Sequence, residues 1–393
     1  MENIIYHQVQ AENVKDSYSE YDTVDFILSF ENRALICNSI RLEGDLLVNS
    51  TGSTPITYAN DVCIDPKLGA HTLCSSIITQ FQNSGLVENL TEYPRSVKMN
   101  ADATKSDNDM LSGDMVCELR SPHKSISHLQ ILRKIPKTYG GLRNNNFGRG
   151  YRNGVDVAHQ LPATSYVNPD FSFKPHICIN KVNSPNIRLS YQKSGAIKIS
   201  ITLERKFGVL FGRDVNVNCN YNVRNLRMCF TSAPDNTPNA PITMINTLCL
   251  KSSLTSAVSN ISSKVPAVCN SMSASFLLQD REYQATFNNN ALNEPPNISR
   301  LSYMFNDSFN QFVSYEITDR VEILKRGLEG LSSGMSNSQD LTKISSNESF
   351  ITGLNWGSYI DLSQQKFNVN INSEIVSNEP YIMFMYFHSI INV

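Results

Sequence analysis

An every-other-residue rhythm of apolar and polar side chains runs from Val24 to the end of the chain and narrows the folds open to it. Its clearest stretch sets Ile197, Ile199, Ile201 and Leu203 against Lys198, Ser200, Thr202 and Glu204. A period of two sends one set of side chains into a core and the other toward water or a neighbouring molecule. The runs form two groups of similar size, and 393 residues are too many for one typical core. The pattern predicts an all-β chain of two tandem β-sandwiches with a few short helices and long loops. A polar tail is expected over residues 1–21, a first sandwich over 22–194 and a second over 195–393.

In the first half, strands are expected from Val24 and from Ile40. Leu73, Ile77 and Phe81 recur every four residues and predict a helix over His71–Gln82, stopped by Asn83-Ser84-Gly85. In the second half, strands are expected over Ala196–Glu204, Tyr221–Phe230, Thr243–Leu250, Met272–Leu278, Leu301–Phe305, Val313–Ile317, Lys366–Ile371 and Tyr381–Phe387. Between Tyr221 and Phe230 the apolar positions slip from odd to even around Arg224 and Asn225, which signals a β-bulge. The unbroken apolar run Tyr381–Phe387 predicts a strand buried on both faces. A helix is expected over Arg320–Leu331, capped by Gly330 or Gly334.

Charged residues make up 18% of the chain, below the ~25% usual for soluble domains, and Asn, Ser and Thr fill the polar positions. Two readings stay open: AT-rich codon usage, or outer surfaces that are buried against other subunits. Net charge is −2, so no global field draws in nucleic acid or an anionic membrane. Glu2, Glu12, Asp16 and Glu20 make the start mildly acidic, not a basic arm that would condense a genome. Nine scattered cysteines without a C-x-x-C pair read as small core residues of a protein made in a reducing compartment. Met1–Gln10 lacks a signal-peptide pattern, and no apolar run reaches the ~18 residues of a membrane span.

Motifs with a mechanism are missing: no phosphate loop, G-x-G-x-x-G, G-x-S-x-G elbow, H-E-x-x-H or EF-hand loop occurs. No enzyme, cofactor or metal site is expected. Asp107, Asp109, Asp114 and Glu118 approach a calcium-loop spacing, but Leu111 takes a ligand position and Gly113 comes one residue late. His176 and Cys178 share a strand face without a second ligand pair. A His–Cys or His–Ser dyad, with His71 among the histidines, is a question for geometry.

Between Glu118 and Asp156 there is no acid, but there are eight bases: Arg120, Lys124, Arg133, Lys134, Lys137, Arg143, Arg149 and Arg152. The last three lie among Gly, Asn, Phe147 and Tyr151 in the longest break of the pattern, 136–168. Arg143, Arg149 and Arg152 are the candidate contact residues. They suit single-stranded nucleic acid, an acidic patch on a neighbouring subunit, or plain solvation. Trp356, the single tryptophan, reads as a loop anchor.

Several segments carry a resemblance. Ser39–Val48, Gly69–Phe81 with Gly85–Glu88, Gly195–Gly212, Asn220–Phe230, Ser302–Ser308 and Pro380–Ser389 resemble jelly-roll capsid proteins of tailless icosahedral DNA viruses. The likeness is to the polinton, polinton-like virus and virophage group. It implies two tandem eight-stranded jelly rolls, each of two Greek keys. It further implies a structural protein of the virion, made in the host cytosol, that self-assembles through homotrimeric capsomers into an icosahedral shell with other capsid proteins. The alternatives are a fivefold vertex protein forming pentamers and a β-sandwich attachment protein that binds glycans.

Overall fold

The computed structural model describes residues 3–50, 62, 64–65, 67–104, 117–120, 166–167, 170–182, 187–212, 215, 219–236, 241–265, 267–282, 284–293, 295, 297–306, 311–332, 349–363, 366–374 and 379–393. Eleven strands come first in the chain. They are β1 (Ile5–Gln10), β2 (Thr23–Leu28), β3 (Arg33–Ile36), β4 (Arg41–Ser50), β5 (Cys74–Phe81), β6 (Gly85–Thr91), β7 (Tyr166–Val167), β8 (Asp170–Phe173), β9 (Arg188–Ser190), β10 (Ile197–Leu203) and β11 (Cys219–Pro234). Eight more follow: β12 (Thr243–Leu254), β13 (Val258–Lys264), β14 (Val268–Leu278), β15 (Arg300–Asn306), β16 (Gln311–Ile317), β17 (Thr352–Asp361), β18 (Lys366–Asn372) and β19 (Tyr381–Asn392). Four helices join them: α1 (Tyr93–Thr104), α2 (Tyr191–Ser194), α3 (Lys206–Val209) and α4 (Arg320–Ser332).

The later eight strands form two four-stranded sheets, in the orders β12-β19-β14-β17 and β13-β18-β15-β16. First pairs with last, second with next to last, and the innermost two with each other. The chain is a long antiparallel ribbon wound on itself, which is a jelly roll. The earlier strands repeat that nesting. β1 and β4 flank β11, and β8 adds beyond β4; the second sheet runs β2-β10-β5-β6. β3, β7 and β9 are additions to the first sheet. Both helices of real length follow the fifth nested strand of their roll, α1 after β6 (β3 being an addition) and α4 after β16.

Two expectations change with this topology. The expected tail 1–21 contains β1, the opening strand of the first roll, paired with Arg227–Ser232 of β11. Its sequence hid this, because an edge strand with one partner buries little and shows weak alternation. The division expected at Gly195 falls before β10 and β11, yet those strands close the first roll by pairing with β2, β5, β1 and β4. Sheet membership changes between Pro234 and Thr243 instead. A wound ribbon returns its last strands to its first, so a midpoint cut separates partners.

The helix expected over His71–Gln82 is a short 3-10 turn, Gly69–Leu73, followed by β5. A spacing of four fits a helix, but it is also two strand periods. Ile77, Thr79 and Phe81 are all buried on one side of β5, and Gly85 takes φ +77° in the hairpin that follows. The bulge lies where the slip placed it, with the β11–β4 register shifting between Arg224 and Arg227. β19 is buried from Tyr381 to Ser389 without interruption. Its sheet packs on the other sheet of its roll through Phe387 against Phe367, meets β6 of the first roll through β12, and has α4 against β14 and β17. Gly330 does not cap α4. It lies inside the helix, where an added Cβ would stand 2.3 Å from the Met272 carbonyl oxygen of β14.

Candidate functional site

Among the described residues, clusters of buried charged groups lie inside the first roll, and further polar contacts cross the seam between the two rolls. Helix α1 places Arg95, Lys98 and Asp102 on one face, at spacings of three and four. Lys98 Nζ lies 3.1 Å from Asp65 and 3.7 Å from Asp102, and Lys67 Nζ lies 2.7 Å from Asp102. All four side chains are buried. Burial alone would raise the Asp65 carboxyl, but Lys98 and the Asn288 amide hold it below the usual carboxylate range.

A second group surrounds the 3-10 turn. His71 Nδ1 shares a 2.7 Å hydrogen bond with the Tyr93 hydroxyl, and its Nε2 lies 3.5 Å from Glu118 Oε2. Arg120 Nε lies 2.7 Å from the same oxygen, and the His176 ring stands edge-on to His71. Burial pushes His71 down to about 4, and pushes His176 well below its ordinary value. Gly69 makes the arrangement possible: at φ +55° it brings its backbone so close to Glu118 that an added Cβ would stand 2.1 Å from that carbonyl oxygen.

The seam is bridged by direct hydrogen bonds. Arg95 donates to the Ala291 carbonyl at 2.9 Å and lies over the Phe384 ring, 4.1 Å from its centroid. The Tyr386 hydroxyl donates to the Glu92 carbonyl at 2.9 Å, and Arg205 to the Glu282 carbonyl at 2.7 Å. Lys251, paired with Glu282 of its own roll, reaches across to within 3.7 Å of Glu92. Asn289 and Asn290 donate to the Phe207 and Gly208 carbonyls. Glu204 is half-buried beside Arg205, and the partial burial raises its carboxyl to about 7. These contacts hold the rolls in one fixed relation, so the outer faces are presented as a unit.

Of the residues singled out in the sequence, Arg143, Arg149 and Arg152, with most of the loop 136–168, lie outside the described residues. So do Asp107, Asp109, Asp114, His123 and His128. Arg120 is described, and it is buried with Glu118 rather than solvated. His176 and Cys178 do not converge on a common point. The Cys178 amide donates to Glu88 at 2.7 Å, while the His176 ring turns to His71. No group of three or more His, Cys, Asp or Glu side chains placed to hold a metal occurs among the described residues. Two histidine–serine pairs occur among the described residues: His388 Nε2 with Ser273 Oγ at 3.1 Å, both side chains buried, and His7 Nε2 with Ser232 Oγ at 2.7 Å on the β1–β11 pair. Trp356 is an anchor set on β17 rather than in a loop, with its indole N–H donated to the Cys269 carbonyl at 2.9 Å.

The outer face of the β13-β18-β15-β16 sheet carries its charge at the margins. Its middle rows run Asn260, Asn370, Ser302 and Ser262, Asn368, Met304, with Ser302 and Asn368 buried among their neighbours, and the charged residues are Arg300 and Glu316 at one end and Lys264 and Lys366 at the other. Sequence reasoning foresaw a low charge overall. It missed that charge collects in the interior of the first roll while this sheet face carries amides and hydroxyls.

The whole chain superposes on known structures. It matches a chain from the Sputnik virophage with TM-score 0.58 and 10% identity, covering 99% of this chain and 86% of that one. The Faustovirus major capsid protein matches with TM-score 0.57 and 9% identity, over 100% and 90%. The mavirus major capsid protein matches with TM-score 0.50 and 9% identity, over 98% and 86%. The fold is the double jelly roll of viral major capsid proteins. No protein-family model and no curated protein sequence matches the chain. The double jelly roll is thus recognised through its backbone. No helix among its described residues is long and apolar enough to cross a membrane.

Proposed function

We propose that this protein is a structural subunit of a virion, a capsid protein whose work is self-association. The observation that carries the reading is end-to-end agreement: both rolls, in order, match double jelly-roll capsid proteins over 98% or more of this chain. Two features support it. The seam fixes the mutual orientation of the rolls, as a shell unit requires. The charge-poor face of the second roll is a surface that neighbouring subunits can cover at low desolvation cost.

Three copies per capsomer are the assembly we favour, with two rolls per copy giving six similar units around one axis. Arg143, Arg149 and Arg152 are proposed as contacts to an acidic patch of a neighbouring subunit. With net charge −2 the purified protein is expected not to condense DNA. Native mass spectrometry of the purified chain, with electron microscopy of the same sample, tests the reading. Trimers with pseudo-hexagonal outline are expected. Pentamers would assign the fivefold vertex role, and a strict monomer at high concentration in every salt would overturn self-assembly.

A further inference from the structure

A buried chain of hydrogen bonds crosses the seam near His388. It begins at Glu88 on β6, whose carboxylate lies 3.0 Å from Lys181 Nζ and also accepts from the Cys178 amide. Lys181 then donates across the seam to Thr247 Oγ1 on β12 at 2.9 Å. Thr247 Oγ1 lies 3.3 Å from His388 Nδ1, and His388 Nε2 lies 3.1 Å from Ser273 Oγ on β14. The Lys181 ammonium can only donate, so Thr247 accepts from it and turns its own proton to His388 Nδ1. That leaves Nε2 carrying the ring proton and Ser273 accepting it. The direction of the chain needs a neutral imidazole.

We propose that this chain is an acid-labile lock: protonation of His388 opens the seam between the two jelly rolls while each roll stays folded. A second ring proton, on Nδ1, would face the Thr247 hydroxyl and stand behind it from the Lys181 ammonium. Thr247 would then accept from both, with its own proton unplaced. Two cations would share a dry seam with one carboxylate, Glu88, which Lys181 already holds. The other titratable groups near the ring bring no balancing charge. Cys249 and Tyr386 share its sheet face and Cys178 lies across the seam, and burial keeps all three neutral. Lys251, farther along the same sheet face, is paired with Glu282. Ser271 and Ser273 on β14 offer hydroxyls alone.

Burial, and after it the Lys181 charge, push His388 down to about 3 in the closed seam. Exposed to water, the ring would return to about 6.5. The sign follows: the open form binds the proton more tightly, so opening is favoured as pH falls from about 6.5 toward 3. Glu204 at the same seam titrates in the opposite sense, so the effect is read with that group removed: in Glu204→Gln the opening equilibrium should rise on the order of a hundredfold between pH 7 and pH 4.

The test is peptide-resolved thiol labelling of the full chain carrying Glu204→Gln with 4,4′-dithiodipyridine from pH 7 to pH 4, with His388→Gln made on that chain. Cys178 and Cys249 report the two sides of the seam, and Cys219 reports the core of the first roll. Labelling of Cys178 and Cys249 should rise together by about a hundredfold relative to Cys219. In His388→Gln, which keeps hydrogen-bonding capacity without titrating, that rise should vanish. An undiminished rise in His388→Gln, or a rise of Cys219 in step with the others, overturns the proposal. If adding His388→Gln prevents folding, the Glu204→Gln chain alone still decides. Cys178 rising without Cys249 would locate the event at His176 in the first roll, and no rise by pH 4 would exclude the lock.

Discussion

The two rolls share one winding but solve the problem of buried polarity differently. In the first, ion pairs are sealed inside: Lys67 with Asp102, Lys98 with Asp65, Arg120 with Glu118 and Lys181 with Glu88. In the second, the buried polar groups are mostly hydroxyls, amides and one neutral histidine. They include Ser271, Ser273, Ser275, Thr352, Asn368 and His388. Apart from Lys251 with the buried Glu282 at the seam, its ion pairs among the described residues, such as Arg300 with Glu316 and Arg326 with Glu329, lie at the surface. Buried charges are costly to separate and fix geometry, whereas hydroxyl pairs contribute little each and tolerate loss. The first roll should be the rigid, all-or-none member, and the second the forgiving one.

The sharpest way to break this contrast is Lys98→Met, which takes from Asp65 its cation and leaves Asp102 with Lys67 alone. A loss of about 3–5 kcal/mol is expected in denaturant unfolding. A loss near 1 kcal/mol would mean that the buried pairs are decorative. Gly69→Ala should be comparably damaging, because both the positive φ and the Glu118 carbonyl oppose a side chain there. Circular dichroism melting of that variant would show a drop of many degrees, and an unchanged melt would contradict the close approach.

Acid should expose the same asymmetry. His71 has a folded value of about 4 against about 6.5 unfolded, so its contribution is lost as pH falls from about 6.5 toward 4. His176 acts in the same direction in the same roll. His71→Gln should therefore flatten the pH dependence of melting by on the order of 2–3 kcal/mol over that window.

Glu204 works in the opposite sense. Its folded value of about 7 lies above the ordinary carboxylate value, so its contribution is full below about 4.5 and lost as pH rises through 7. Glu204→Gln should stabilise the chain at pH 8 by on the order of 2 kcal/mol and change little at pH 4. A loss at pH 8 would show that the carboxylate is held as a charge. The smallest effect belongs to the second roll. Thr352→Val removes the Tyr303 hydroxyl's 3.0 Å partner and should cost about 1 kcal/mol. A cost of several would remove the contrast between the rolls.

Side-chain alternation was enough to reveal sandwiches, the bulge near Asn225 and the doubly buried strand at the end. These are properties of one segment and the surface it lies on, and a local period reports them. The same rhythm could not say that β1 pairs with β11 across more than half the chain, nor that β10 belongs with β2. It could not choose strand over helix at Leu73, Ile77 and Phe81, because one spacing satisfies both geometries. Nor could it say that Lys98, Asp102 and Arg120 turn inward, since an ion looks solvated until its partner is placed. Pairing in a wound ribbon joins residues far apart in sequence, and the enclosure that makes a charge or a histidine costly exists only once both rolls have closed.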